Sequence, residues 1–192
     1  MARTNKNNKN DKLTLKSGIF WGAILLVTIA FFVVIVLKWV DSSKVVTSYD
    51  RMEELVGEEI FQQFDRTKVG TYEYYVFVYG SNEEEDYATD VNDLEEHICE
   101  YLTYVNRNKD AIKLYGFDID NALNEGKVGS SSKLGENNYA LWRVAKSDVP
   151  SLLKITVNVS QNSSGTNSAN VTINYYHSNV QAIKTELDGI LN

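Results

Sequence analysis

From Gly18 to Val40 the chain reads GIFWGAILLVTIAFFVVIVLKWV, a run with no charged side chain before Lys38. A helix on the surface of a globular domain keeps one polar face, and this run has none. At 1.5 Å of rise per residue, about twenty residues cross the roughly 30 Å hydrocarbon layer of a bilayer. Inside that layer every backbone amide must find its partner within the segment, so the run must be helical. Trp21 and Trp39 stand near its two ends, where amphipathic rings prefer the interface. A cleaved secretory signal has a shorter apolar core and a small-x-small cleavage site. Here Lys38-Trp39-Val40-Asp41 follows instead, so the segment reads as a retained anchor.

Charge sets the expected orientation. Arg3, Lys6, Lys9, Lys12 and Lys16 precede the span with only Asp11 against them, and cytoplasmic flanks carry the basic excess. The sequence therefore predicts a polar cytoplasmic tail over residues 1–17, a transmembrane helix over 18–40 and an extracytoplasmic domain over 41–192, in the cell membrane. The tail, rich in Asn and Lys, reads as disordered. Removing its five basic and one acidic residue from the totals of 19 and 26 leaves 14 against 25, a net charge near −11 for the remainder. So acidic a domain does not suit nucleic acid, whose affinity comes largely from neutralised phosphates. Its partners are expected to be the lipid bilayer through the helix and another protein or peptide at the outer membrane face.

About 150 residues suffice for one domain with its own core, needing no metal or disulfide. Cys99 is the single cysteine, so no intramolecular disulfide and no Cys-x-x-Cys pair can form. Thr47 and Asp50 resemble a capping box, and Tyr49, Met52, Leu55 and Val56 then fall on one face of a predicted helix that resumes through Ile60, Phe61 and Phe64. Tyr72 to Tyr79, YEYYVFVY, is the strongest strand signal. A polar loop leads into a helix predicted from Asp90 to Arg107, with Val91, Leu94, Ile98, Leu102 and Val105 on one face. Ile112 to Ile119 gives a second strand, and strand, helix, strand with short links makes the two strands parallel. Residues 122–138, rich in Gly, Ser and Asn, read as a mobile insertion. Leu152–Val159 and Val171–Tyr176 alternate as an antiparallel hairpin around a loop at 161–170, and a last helix begins near Ser178. The expected class is α/β, a mixed sheet with a parallel βαβ unit, an antiparallel hairpin and flanking helices after one N-terminal transmembrane helix.

The one proline, Pro150, lies immediately before the hairpin in Val149-Pro150-Ser151-Leu152. Together with the order of elements, that segment resembles a thioredoxin-like domain, whose members carry a cis-proline there in the pattern apolar residue, Pro, Thr or Ser, Leu. The resemblance spans residues 44–192. It implies that an extended peptide binds beside the proline, on a surface at Ser81, Asn82, Val149 and Pro150. It departs from the family where redox-active members place Cys-x-x-Cys: the stretch here is Gly80-Ser81-Asn82-Glu83-Glu84-Glu85-Asp86. With no thiol present, dithiol exchange has no means, and the implied role is a redox-inactive accessory or assembly factor that binds a protein and catalyses nothing.

Other constellations are weaker. His97 and Cys99 stand at i and i+2 on one helix and do not face each other. A monothiol oxidoreductase or transferase acting through Cys99 is the enzyme alternative. Gly18 and Gly22 give a GxxxG spacing at the edge of the span, the basis for a third reading as a structural subunit of a membrane complex. Glu83 to Asp86, Asp90 and Asp93 lack the alternation and turn glycine of an EF-hand, and read as a solvated loop. Three Asn-x-Ser/Thr patterns begin at Asn158, Asn162 and Asn170, a number expected by chance here. No cofactor and no metal is expected, since no phosphate loop, nucleophile elbow or zinc spacing occurs.

Overall fold

The computed structural model describes residues 15–191, apart from the side chains of residues 15–17 and of Tyr175. The basic tail expected over residues 1–17 therefore falls almost wholly outside the described residues. The chain divides into two compact units, Met1–Ser43 and Lys44–Asn192.

In the first unit α1 runs Leu15–Ser42 without a break. The stretch Gly18–Ser42 is long and apolar enough to cross a membrane, and no part of its most apolar window is buried by protein. Leu26 and Val27 are each 70% exposed. A core helix of a soluble protein would be covered, so lipid is the solvent that suits these side chains. Its hydroxyls fold back on the preceding turn, Thr28 donating to the Ile24 carbonyl at 2.9 Å and Ser42 to that of Trp39 at 3.0 Å. Both hydroxyls are thereby satisfied within the helix.

The second unit is built on a mixed sheet. Its strands are β1 (Gly70–Tyr79), β2 (Lys113–Asp118), β5 (Ser151–Gln161) and β6 (Asn167–His177), in the order β2-β1-β5-β6. β1 and β2 are parallel, with Tyr79 opposite Asp118; β1 and β5 are antiparallel, as are β5 and β6. The predicted hairpin forms, with Ile155 opposite Ile173, Val157 opposite Val171 and an irregularity between Lys154 and Ile155. Its turn is tighter than the predicted loop, because Asn162 Oδ1 accepts from the amides of Ser164 and Thr166 and Gly165 takes a φ of +81°.

Alternation along β1 divides the core into two layers. Tyr75 meets Tyr101 of α3 (Glu95–Arg107) edge to face and donates to Glu186 of α4 (Val180–Leu191), so α3 and α4 cover one side. Ile183 and Leu187 are the fully buried members of α4, as its period predicts. On the other side Tyr74 donates to the Ile60 carbonyl, and Trp142 packs edge-on against Phe61 and Phe117. Trp142 is wholly buried, and its indole N–H donates to the Leu134 carbonyl at 3.1 Å.

Three expectations need correction. The helix predicted from Tyr49 is a single 3-10 turn, Tyr49–Arg51, followed by a 3-10 helix Gly57–Phe61. Between them the chain is extended and lies beside β2, with Leu55 N–H donating to the Gly116 carbonyl and Gly116 N–H to that of Glu53. Gly116 permits this approach: a Cβ there would stand 2.7 Å from Met52 Cε. Gly57, at φ +56°, turns the chain out of the ladder. The helix predicted from Asp90 is broken at Asp93–Leu94 into α2 (Ala88–Asn92) and α3. Residues 122–138 are ordered in part, with a 3-10 helix at Ala122–Lys127, a two-residue strand β3 (Val128–Gly129) paired to β4 (Val144–Ala145), and buried Asn124, Lys127 and Leu134.

Candidate functional site

β1 and β2 run parallel, so their carboxyl ends, Tyr79 and Asp118, finish side by side. Ligands in open α/β sheets gather at such ends. Asp118 is 7% exposed, and its Oδ1 accepts from the backbone N–H of Ser81 at 3.2 Å and of Asp120 at 2.9 Å. Asp120 continues the pattern: its Oδ2 accepts from Asn82 N–H at 2.9 Å and from the Tyr87 hydroxyl at 2.6 Å. Burial, followed by the hydrogen bond to Asp120, holds the Tyr87 hydroxyl well above its usual pKa. Gly80 is required beneath this ring, since a Cβ would lie 2.3 Å from Tyr87 Cε2. The Ser81–Asn82 loop is thus organised by two carboxylates.

The facing wall comes from residues far away in sequence. Tyr49 stacks on Tyr79 with ring centroids 5.6 Å apart, and its hydroxyl donates to the Val91 carbonyl at 2.6 Å. The Tyr79 hydroxyl donates to Glu54 Oε1 at 2.7 Å. Burial first, and then neighbouring carboxylates, push both phenols far above their ordinary range. Between the walls lies an open cleft of about 530 Å3. Asp50, Glu54, Glu83, Glu95 and Asp118 contribute to its lining, and among the described residues no Lys, Arg or His does. Nearby Lys146 is committed to Glu85.

Of the four residues predicted to form a binding surface, Ser81 and Asn82 are exposed and line this cleft. Val149 and Pro150 stand at the same end of the sheet, since β1–β5 pairing ends with Val78 opposite Ser151, and the Val149-Pro150 peptide is cis. Both are buried and lie outside the cleft lining, so their side chains serve the core. Cys99 is buried on α3 and lines a separate hollow of about 560 Å3 with Val45, Val46 and Thr103. Burial, then the Glu95 carboxylate, push its thiol up to about 11. His97 turns its Nε2 toward Asp188 of α4 at 3.8 Å.

No protein-family model, no curated protein and no solved structure matches this chain. The function must be read from the site. The Ser48–Glu54 and Ala88–Glu95 walls escaped sequence reasoning because they meet β1 only through the fold. The one available signal was the run of acids from Glu83 to Asp86 beside the end of the strongest strand.

Proposed function

We propose that this chain is a membrane-tethered, redox-inactive protein of thioredoxin-like fold whose folded unit stands outside the cytoplasm and captures a protein or peptide, as an accessory or assembly factor. The observation that carries the reading is the open cleft at the carboxyl ends of β1 and β2, which presents Ser81 and Asn82 and holds no nucleophilic thiol. The fold assignment draws support from the order β2-β1-β5-β6, with β5 antiparallel to both neighbours, and from Pro150 directly ahead of β5. The tether draws support from an apolar helix that protein leaves uncovered. Against the monothiol alternative stands a Cys99 that is buried and protonated at neutral pH, because its pKa is raised to about 11 and the thiolate is the reactive form.

A photo-crosslinking amino acid at Asn82, in the full chain and its native membrane, tests the reading. We expect a discrete adduct from position 82 and none of that mass from exposed Glu125. Identical adduct patterns from the two positions, or none from either, would overturn it. Protease added to the outer face should remove the folded unit, and a protected C-terminus would reverse the orientation.

A further inference from the structure

We propose that the outer edge of β6 is a second docking surface, where an extended, acidic segment of a partner polypeptide adds to the sheet as a fifth strand. This surface is separate from the cleft: it lies by the Gly70–Val159 pair, at the opposite end of β1 from Tyr79. The other edge of the sheet is covered, because Leu55 N–H donates to the Gly116 carbonyl of β2 and Gly116 N–H to that of Glu53. On β6 the Ile173 amide points away from β5 and is taken by Asn137 Oδ1 at 2.7 Å. Backbone direction alternates along a strand, so Val171, Ala169 and Asn167 turn their N–H and C=O groups to the same outer side. Among the described residues nothing bonds to those of Ala169 and Val171 there. Natural edge strands are blunted by charge or proline, and Asn167–Ile173, NSANVTI, has neither.

An open groove of about 310 Å3 runs beside this edge. Phe61 and Phe64 form one wall, and Val159, Ala169 and Val171 line it from the sheet. Alternate side chains of an added strand therefore meet apolar surface while its backbone pairs with β6. Charge selects the occupant. Arg66, exposed and set over the Phe64 ring at 5.6 Å, is the one charged residue of the lining, and among the described residues no carboxylate pairs with it. In so acidic a unit, a groove whose single charge is positive favours an acidic segment. The same end holds a second unmet group: Asn167 donates from Nδ2 to the Arg66 carbonyl at 3.0 Å, while its Oδ1 is buried with no partner among the described residues. A buried acceptor without a donor is unfavourable, and an occupant's N–H relieves it. A second copy of this chain suits the groove less, since the open stretch of β6 offers Arg66 no carboxylate and two such acidic units repel each other.

The test titrates the full chain in zwitterionic nanodiscs with an acetylated peptide of alternating threonine and valine that ends in glutamate. The peptide should bind and should slow hydrogen exchange at the Ala169 and Val171 amides. Two N-methylated versions, blocked at alternate amides in opposite phase, isolate strand addition: only one phase faces β6, so one version should lose binding and the other keep it. Ala169→Pro removes an outward amide that an edge strand can spare, and should abolish binding. Arg66→Gln, at an exposed position, should weaken binding about tenfold, the worth of one hydrogen bond between charged groups, and serves with the methylated pair if Ala169→Pro disturbs folding. Glu125→Gln, off the groove, should change nothing. No binding, the same affinity for both methylated peptides, wild-type affinity in Arg66→Gln, or unchanged exchange at Ala169 and Val171 would overturn the inference. So would a concentration-dependent dimer abolished by Ala169→Pro in a chain that ignores the peptide, which would put a second copy on the edge.

Discussion

The helix α1 and the strand β1 are both rich in large apolar and aromatic residues, and they do opposite things with their side chains. Phe32 on α1 is 61% exposed, whereas Phe77 on β1 is wholly buried. On α1 the backbone satisfies itself within the segment, so the side chains are free to face lipid. A strand cannot do that. β1 must pair with β2 and β5, and once its backbone is paired its aromatic side chains are covered by α3 on one face and by the Gly57–Phe61 turn and Trp142 on the other. Which groups satisfy the backbone decides whether the solvent is lipid or the protein itself.

The comparison is sharpest as a pair of truncations. Phe77→Ala removes a ring that packs on Tyr49 and Tyr79. It should cost about 3–5 kcal/mol, a large share of a domain's stability. Phe32→Ala removes the same atoms from a site that no protein covers and should leave the domain's urea transition within about 0.5 kcal/mol of wild type. Equal losses in the two variants would show that the environments do not differ as described.

Much of this was legible in the sequence, and what was not has a common cause. YEYYVFVY announced β1, the period of Ile98 and Leu102 announced α3, and the alternation around Ile155 and Ile173 announced the hairpin. Each is a local pattern read out locally. The segment from Tyr49 to Phe64 misled because apolar residues spaced by three or four suit a helix and also a 3-10 turn joined to an extended stretch. The choice was made by Gly116, more than 60 residues away, whose amide and carbonyl pair with Glu53 and Leu55. Residues 122–138 misled in the opposite sense. Polar composition suggested a loose insertion, yet Asn124 donates to the Asp118 carbonyl at 2.8 Å and accepts from Gly57 N–H at 2.8 Å. The cleft was half legible: Ser81 and Asn82 were placed in it by resemblance, while its Tyr49 and Glu54 wall depends on the same non-local pairing.

Glycines give the comparison a second, smaller test. Gly80→Ala forces a Cβ to within 2.3 Å of Tyr87 Cε2 and 2.8 Å of Asp120 Oδ2, so the ring that braces the Ser81–Asn82 loop must move. A loss of about 1–3 kcal/mol is expected. Gly22→Ala in α1 meets nothing within 4 Å and trades a poor helix former for a good one, so the anchor should be unchanged or slightly firmer. The check is the urea midpoint for Gly80→Ala and resistance to alkaline extraction for Gly22→Ala. A tolerated Gly80→Ala would mean that the loop is held less tightly than its two carboxylates suggest.

The smallest effect separates the buried face of α3 from any surface where a thiol could work. The Cys99 thiol titrates near 9.0 when unperturbed and at about 11 in the folded protein, raised by burial and then by Glu95. Well below pH 9.0 both states keep the proton, and Cys99 adds no slope. Between 9.0 and about 11 the unfolded chain gives up a proton that the folded chain retains, so the native state binds more protons and stability falls as pH rises. Tyr49, Tyr74, Tyr79 and Tyr87 are also raised and act in the same direction at higher pH, so the Cys99 part must be taken as the difference between wild type and Cys99→Ser. That difference should be flat below pH 8 and should decline through the window above 9. The same burial should make a thiol reagent at pH 8 label the native protein at least about tenfold more slowly than the urea-unfolded chain, because only thiolate reacts. A native thiol labelled as fast as an unfolded one would place Cys99 at an accessible surface, and the monothiol reading would then displace the binding one.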